Sequence, residues 1–144
     1  MAKTIVIYGS TTGNTEMVAE QIVEHLEDHE ISMQDVADTE ANDLLEYDLI
    51  IMGASTWDDG LLQADFREFA ENTEIDLSGK KVAVFGLGDN SYPAFCESAA
   101  LLEEFVNKLG GELIVEPLKI DGFPDEEENE EKVGIWCANI AAKL

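Results

Sequence analysis

Thr4-Ile5-Val6-Ile7-Tyr8, followed at once by Gly9-Ser10-Thr11-Thr12-Gly13-Asn14-Thr15, is the stretch on which the fold turns. The first five residues are β-branched or aromatic with no polar face, which suits a strand buried on both sides. The next seven hold two glycines, four hydroxyls and an amide. Beyond them Val18, Ile22 and Leu26 recur four residues apart with Ala19 and Val23 beside them, so a helix is expected over 14–28. A buried strand, a polar glycine-bearing turn and a helix in that order open a parallel α/β unit.

The same alternation runs to the end of the chain. Residues 31–36 alternate weakly, and Asp48–Ala54 is a second buried run centred on Leu49, Ile50, Ile51 and Met52. A short helix is expected near Phe66 and Phe69, then a strand at Lys81–Phe85. Phe95, Ala99, Leu102, Val106 and Leu109 predict a helix over 94–109 that stops at Gly110-Gly111. Glu112–Ile120 reads as a strand, and 124–143 as a last helix with Val133, Trp136 or Cys137, and Ile140 facing inward. Pro124 and the acids Asp125–Glu128 fit a helix start.

Strands near 4–8, 48–54 and 81–86 are apolar on both faces and belong in the middle of a sheet. The strand near 31–36 is mixed and that near 112–120 contains Pro117, so both are expected at edges. With right-handed crossovers, the simplest result is a three-layer, doubly wound α/β fold. Its five-stranded parallel sheet has order 2-1-3-4-5 in a single domain spanning 1–144. The order reverses between the first and third strands, which places a ligand crevice beyond their C-terminal ends.

Composition narrows the function. Lys+Arg is 8 against Asp+Glu 32, a formal charge of −24, which excludes sequence-independent nucleic-acid binding and disfavours anionic lipid. The excess acid implies solubility, a basic partner surface or a salty cytoplasm. Hydrophobic residues make up 45%, too many for a disordered acidic tail. Cys96 and Cys137 form no C-x-x-C, and no metal cluster is apparent. His25 and His29 are spaced to share one helical face, which is read as solvated because it is crowded with acids. The N-terminal apolar run is too short for a signal peptide or a membrane span, so a reduced, soluble, cytoplasmic protein is expected.

Three loops carry the chemistry. Residues 9–15 lead from a buried strand into a helix N-terminus, whose amides favour an anion. No Gly-Lys-Ser/Thr follows, and there is no G-x-G-x-x-G, so this is neither a nucleoside-triphosphate loop nor a dinucleotide loop. A hydroxyl-lined loop without Lys or Arg suits one tightly held phosphomonoester. The second loop is Gly53-Ala54-Ser55-Thr56-Trp57-Asp58-Asp59-Gly60, and the third is Gly86-Leu87-Gly88-Asp89-Asn90-Ser91-Tyr92-Pro93. Each sets an aromatic in polar, glycine-bearing surroundings. Together the three loops suggest a planar heteroaromatic ring on a phosphorylated tail.

The segment Val6-Ile7-Tyr8-Gly9-Ser10-Thr11-Thr12-Gly13-Asn14-Thr15-Glu16-Met17-Val18-Ala19, with the Ser-Thr-Trp and Gly-Leu-Gly-Asp-Asn-Ser-Tyr loops, resembles the short-chain flavodoxin family along essentially the whole chain. The resemblance implies noncovalently bound FMN and a low-potential one-electron carrier rather than an enzyme. Ser10, Thr11, Thr12, Gly13, Asn14 and Thr15 would hold the phosphate, and Asn14 with Ser55 and Thr56 would border the ribityl chain. Trp57 would cover the inner flavin face and Tyr92 the outer. The loop residues Gly88, Asp89, Ala94, Phe95 and Cys96 would lie at the ring, with backbone groups of Asp89, Ala94 and Cys96 on the pyrimidine edge.

Asp58 stands where many relatives carry glycine, whose carbonyl turns toward flavin N5. A weaker hold on the half-reduced flavin is therefore expected, because aspartate adopts positive φ less freely. Asp58, Asp59, Asp65 and Asp89 would oppose a second electron, each by roughly 2 kcal/mol at ~8 Å before salt screening. Implied partners are redox proteins with basic docking surfaces, the carrier itself being a monomer. The rival readings are an FMN-dependent NAD(P)H:quinone reductase, for which little sequence is left over, and a phospho-acceptor domain. The second lacks an aspartate at Met52-Gly53-Ala54-Ser55.

Overall fold

Period-two burial sorts the strands into two cores. The computed structural model describes residues 3–9, 13–27, 29–57, 61–62, 64–88, 97–121 and 124–144. In β1 (Lys3–Gly9), Ile5 and Ile7 face one core while Val6 and Tyr8 face the other. β3 (Leu49–Trp57) repeats the pattern, with Ile50, Met52 and Ala54 against Leu49 and Ile51. So does β5 (Lys81–Gly88), with Val82 and Val84 against Ala83, Phe85 and Leu87. Strands buried on both faces need helices on both faces. α1 (Asn14–His25) and α4 (Glu127–Ala141) cover one side, α2 (Ala64–Asn72) and α3 (Glu97–Leu109) the other.

The parallel order is β2 (Glu30–Asp35), β1, β3, β5, β6 (Glu112–Leu113), which is the predicted 2-1-3-4-5 with its edges where the composition put them. Two short 3₁₀ turns, Val36–Asp38 and Ala41–Glu46, carry the chain from β2 to β3. α3 ends as expected: Gly110 has φ 84°, and the Gly111 amide closes back on the Val106 carbonyl at 3.1 Å.

Several boundaries differ from the sequence reading. α1 stops at His25, with Leu26 as its cap, so His29 lies beyond the helix and the two histidines share no helical face. α3 is described from Glu97 on, and the expected start at 94 lies outside the described residues. Pro124 precedes α4 rather than opening it. The first helical residue is Glu127, and the Pro124 carbonyl instead accepts a hydrogen bond from Gln21 Nε2 at 3.0 Å. Both Trp136 and Cys137 are buried.

The largest correction is at the last strand. Glu112–Ile120 is not continuous: β6 pairs Leu113 with Val82, and β7 (Leu118–Asp121) pairs Leu118 with Phe85. Three steps along β5 are thus matched by five along the edge, and Pro117, lacking an amide proton, sits in the interruption. Trp136 Nε1 donates to the Glu116 carbonyl at 2.8 Å and satisfies a group the broken ladder leaves over. β4 (Leu61–Leu62), antiparallel to Thr56–Trp57, has no counterpart in the sequence reading.

Candidate functional site

Register brings the three loops to one edge. Gly9 lies opposite Ala54, Ala54 opposite Gly86, and Ser55 opposite Leu87. The chain therefore leaves β1, β3 and β5 side by side at their C-terminal ends. Outer members of such a trio lie about 10 Å apart, the scale of a fused three-ring system. This is the topological switch point of the sheet, because the connection after β1 runs to β2 on one side and β3 lies on the other.

The first loop delivers a helix N-terminus to that edge. Gly13 sits at φ 92°, a left-handed turn that only glycine enters without strain, and it has no side chain with which to cap α1. The amides of the first turn therefore face the edge without a side-chain acceptor at the cap position, as an anion requires. A Cβ added at Gly13 would meet nothing within 4 Å, so φ alone selects glycine there. Asn14 is half-buried and Thr15 only 1% exposed. Ser55 is half-buried on the neighbouring strand. The backbones of Thr56 and Trp57 are held by the antiparallel pairing with Leu62 and Leu61, which stiffens the exit of the second loop. Gly88 ends β5 opposite Asp121 of β7. Ser10, Thr11, Thr12, Asp58, Asp89, Tyr92, Ala94, Phe95 and Cys96 lie outside the described residues.

Two supports under this edge were not read from the sequence. Tyr8 Oη donates to Glu16 Oε1 at 3.3 Å, tying the end of β1 to the first turn of α1. Burial first, then the carboxylates of Glu16 and Asp35, push the Tyr8 phenol up to about 12. Ser98 Oγ donates to the Ala54 carbonyl at 3.0 Å in a fully buried contact. That contact needs Gly86, where a Cβ would stand 2.6 Å from Ser98 Oγ and 2.9 Å from the Ala99 amide. The Tyr8–Glu16 pair had a signal, an acid just past the Gly-Asn-Thr turn. Ser98 had none, because a lone serine inside the helix expected over 94–109 falls outside its apolar stripe and carries no sign of what it bonds.

Among the described residues, no group of three or more His, Cys, Asp or Glu could hold a metal ion. No helix there is long and apolar enough to cross a membrane.

Comparison with known proteins agrees with this geometry. The family model described as Flavodoxin matches residues 6–136. A flavodoxin of Maridesulfovibrio salexigens is 41% identical, with 100% of each chain covered. The crystal structure of oxidised Flavodoxin 2 from Bacillus cereus superposes with a TM-score of 0.95 at 42% identity, covering 99% of this chain and 100% of that one. A Fusobacterium nucleatum flavodoxin, solved bound to flavin mononucleotide, shares the fold at a TM-score of 0.88 and 21% identity. That match covers 100% of this chain and 99% of that one.

Proposed function

Because the chain belongs to the flavodoxin family, we propose that its C-terminal sheet edge is the seat of FMN in a single FMN-binding domain spanning 1–144. The protein is an FMN-binding electron carrier that passes electrons between redox proteins and converts no substrate of its own. The observation that carries the site assignment is the meeting of three loop-bearing strand ends around a glycine-led helix N-terminus.

The residues fit the cofactor in kind. Ser10, Thr11, Thr12, Asn14 and Thr15, with the first-turn amides of α1, hold the phosphate without a cation. Ser55 and Thr56 border the ribityl chain, Trp57 and Tyr92 flank the ring, and Gly88, Asp89, Ala94, Phe95 and Cys96 border its polar edge. FMN supplies reversible one-electron chemistry. The protein shields the ring from water and surrounds it with negative charge. Loop segments 9–16, 55–63, 88–97 and 121–127 hold Glu16, Asp58, Asp59, Asp89, Glu97, Asp121, Asp125, Glu126 and Glu127 but no Lys or Arg. Such a rim disfavours a further electron, which makes the carrier a low-potential donor, and it draws in partners with basic surfaces. Asp58 in place of glycine narrows the control of the first electron, so Asp58→Gly is expected to widen the separation of the two one-electron potentials. We further place the protein in the cytoplasm as a monomer.

The test is the visible spectrum of the purified protein during stepwise anaerobic reduction. A yellow protein that takes up its electrons in two resolved one-electron steps is the expected result. Direct two-electron bleaching by NADH would overturn the reading in favour of a quinone reductase. A protein that stays colourless after FMN is added would remove the site assignment.

A further inference from the structure

We infer that the groove between the broken edge strand and the C-terminal half of α4 docks an acidic, apolar segment of a partner protein, on a face separate from the flavin edge. The groove has a volume of about 640 Å³, and Pro117, Ile135 and Trp136 are among its apolar lining residues. Among the described residues, Lys119, Lys132 and Lys143 also line it, with Glu116 the one carboxylate. Three of the chain's eight cations thus line one groove on a molecule of charge −24.

The concentration follows from how α4 is written. Residues 125–131 hold six acids in seven positions, whereas 132–144 hold none. The structure separates these halves in space. Asn129 Nδ2 bonds the Asp121 carbonyl at the C-terminal end of β7, so the acidic half lies at the flavin edge. Lys81 Nζ bonds the Lys143 carbonyl, so the other half ends at the opposite edge, where β5 begins. Ile135 is 65% exposed, the most exposed large hydrophobic side chain among the described residues, and it belongs to the acid-free half. Pro117, Ile135 and Trp136 give the groove an apolar centre, and the lysines give it a charged, solvent-accessible rim.

Charge complementarity selects the occupant. A basic partner meets three lysines here and nine acids at the other edge, so it goes to the other edge. A second copy fits poorly, because a two-fold contact sets lysine against lysine and both copies carry −24. A segment combining carboxylates with a large apolar side chain satisfies both halves of the groove. At physiological ionic strength the Debye length of about 8 Å hides the more distant acids, so the charges lining the groove, three lysines against Glu116, weigh most on a segment lying in it.

The experiment uses the full chain loaded with FMN and labelled with ¹⁵N. It is titrated at physiological salt with a short synthetic peptide alternating glutamate and leucine, beside glutamate–serine and lysine–leucine peptides. The glutamate–leucine peptide is expected to shift amides of 114–119 and 132–143 together with the Trp136 indole, leaving the flavin spectrum unchanged. K119Q/K132Q/K143Q is expected to weaken it about tenfold, three exposed charge pairs together amounting to one decade. Ile135→Ser, on an exposed position that does not threaten folding, is expected to weaken it several-fold. Shifts at the flavin edge, equal binding of either control peptide, or no shift at all would overturn the proposal. A dimer in sedimentation that Ile135→Ser abolishes would overturn it in favour of self-association.

Discussion

Tyr8 and Cys137 show what burial does to a single side chain. Each is neutral in the folded protein, and burial pushes both ionisations up to about 12, from 10.0 for the phenol and 9.0 for the thiol. A folded-state pKa raised above the unfolded value means that the folded protein holds the proton more tightly. The associated stability is complete below the unfolded pKa and is lost as pH rises through the folded one. The urea midpoint is therefore expected to fall as pH climbs from about 9 toward 12. Tyr8→Phe should start lower, having lost the bond to Glu16, but should fall less steeply between pH 10 and 12. A constant difference between the two proteins over that range would refute the assignment. Cys137, only 2% exposed, should also resist thiol reagents in a Cys96→Ser background until the chain unfolds. Prompt labelling under native conditions would contradict its burial.

Between elements, the decisive contact is the one that pins α3 to β3. Ser98→Ala leaves the Ala54 carbonyl without this donor in a dry interior, at a cost of about 1–3 kcal/mol. Gly86→Ala acts on the same joint from the other side, since backbone of α3 stands 2.9 Å from the added Cβ and must lift. Both variants are expected to lower the urea midpoint and also to weaken FMN binding, because α3 follows the third loop directly. A loss of stability with FMN affinity intact would show that the joint does not position the site. The strands of the sheet were legible because burial on both faces leaves a continuous apolar run, and Pro117 correctly marked an edge. The break at 114–117 was not legible, because apolar Ile114 and Val115 look the same in a bulge as in a ladder; pairing with β5 decides between them. The same holds at the end of α1: Leu26 fits the helical stripe, yet it is the cap. Loops 9–15 and 53–60 stood out in the sequence as a candidate site because hydroxyls, glycines and a tryptophan have little reason to cluster after a buried strand. The hairpin of Leu61–Leu62 on Thr56–Trp57 was hidden, because two residues carry no period.

Over the whole molecule, the cations are sorted along the strand direction. Lys3, Lys80 and Lys81 stand where β1 and β5 begin, and Lys143 is bonded to Lys81 there. Lys108 ends α3 at the same edge, where the Leu77 amide meets the Leu109 carbonyl. Five of eight cations thus lie opposite the loops that carry nine acids and none. The arrangement gives salt two opposite effects. Stability suffers from self-repulsion at a charge of −24, so screening should raise the melting temperature as potassium chloride increases, with most of the gain by the ionic strength at which the Debye length falls to a few ångströms. Electron transfer to a basic partner depends on the long-range field, so its bimolecular rate should fall over the same range. Measuring both in one salt series separates the two explanations of the acidity. A falling rate with a protein already folded at low salt favours docking electrostatics. A protein that folds only in molar salt favours adaptation to brine. A rate and a melting temperature that both ignore salt would mean that the acids are too far from the flavin edge, and too well spaced from one another, to do either.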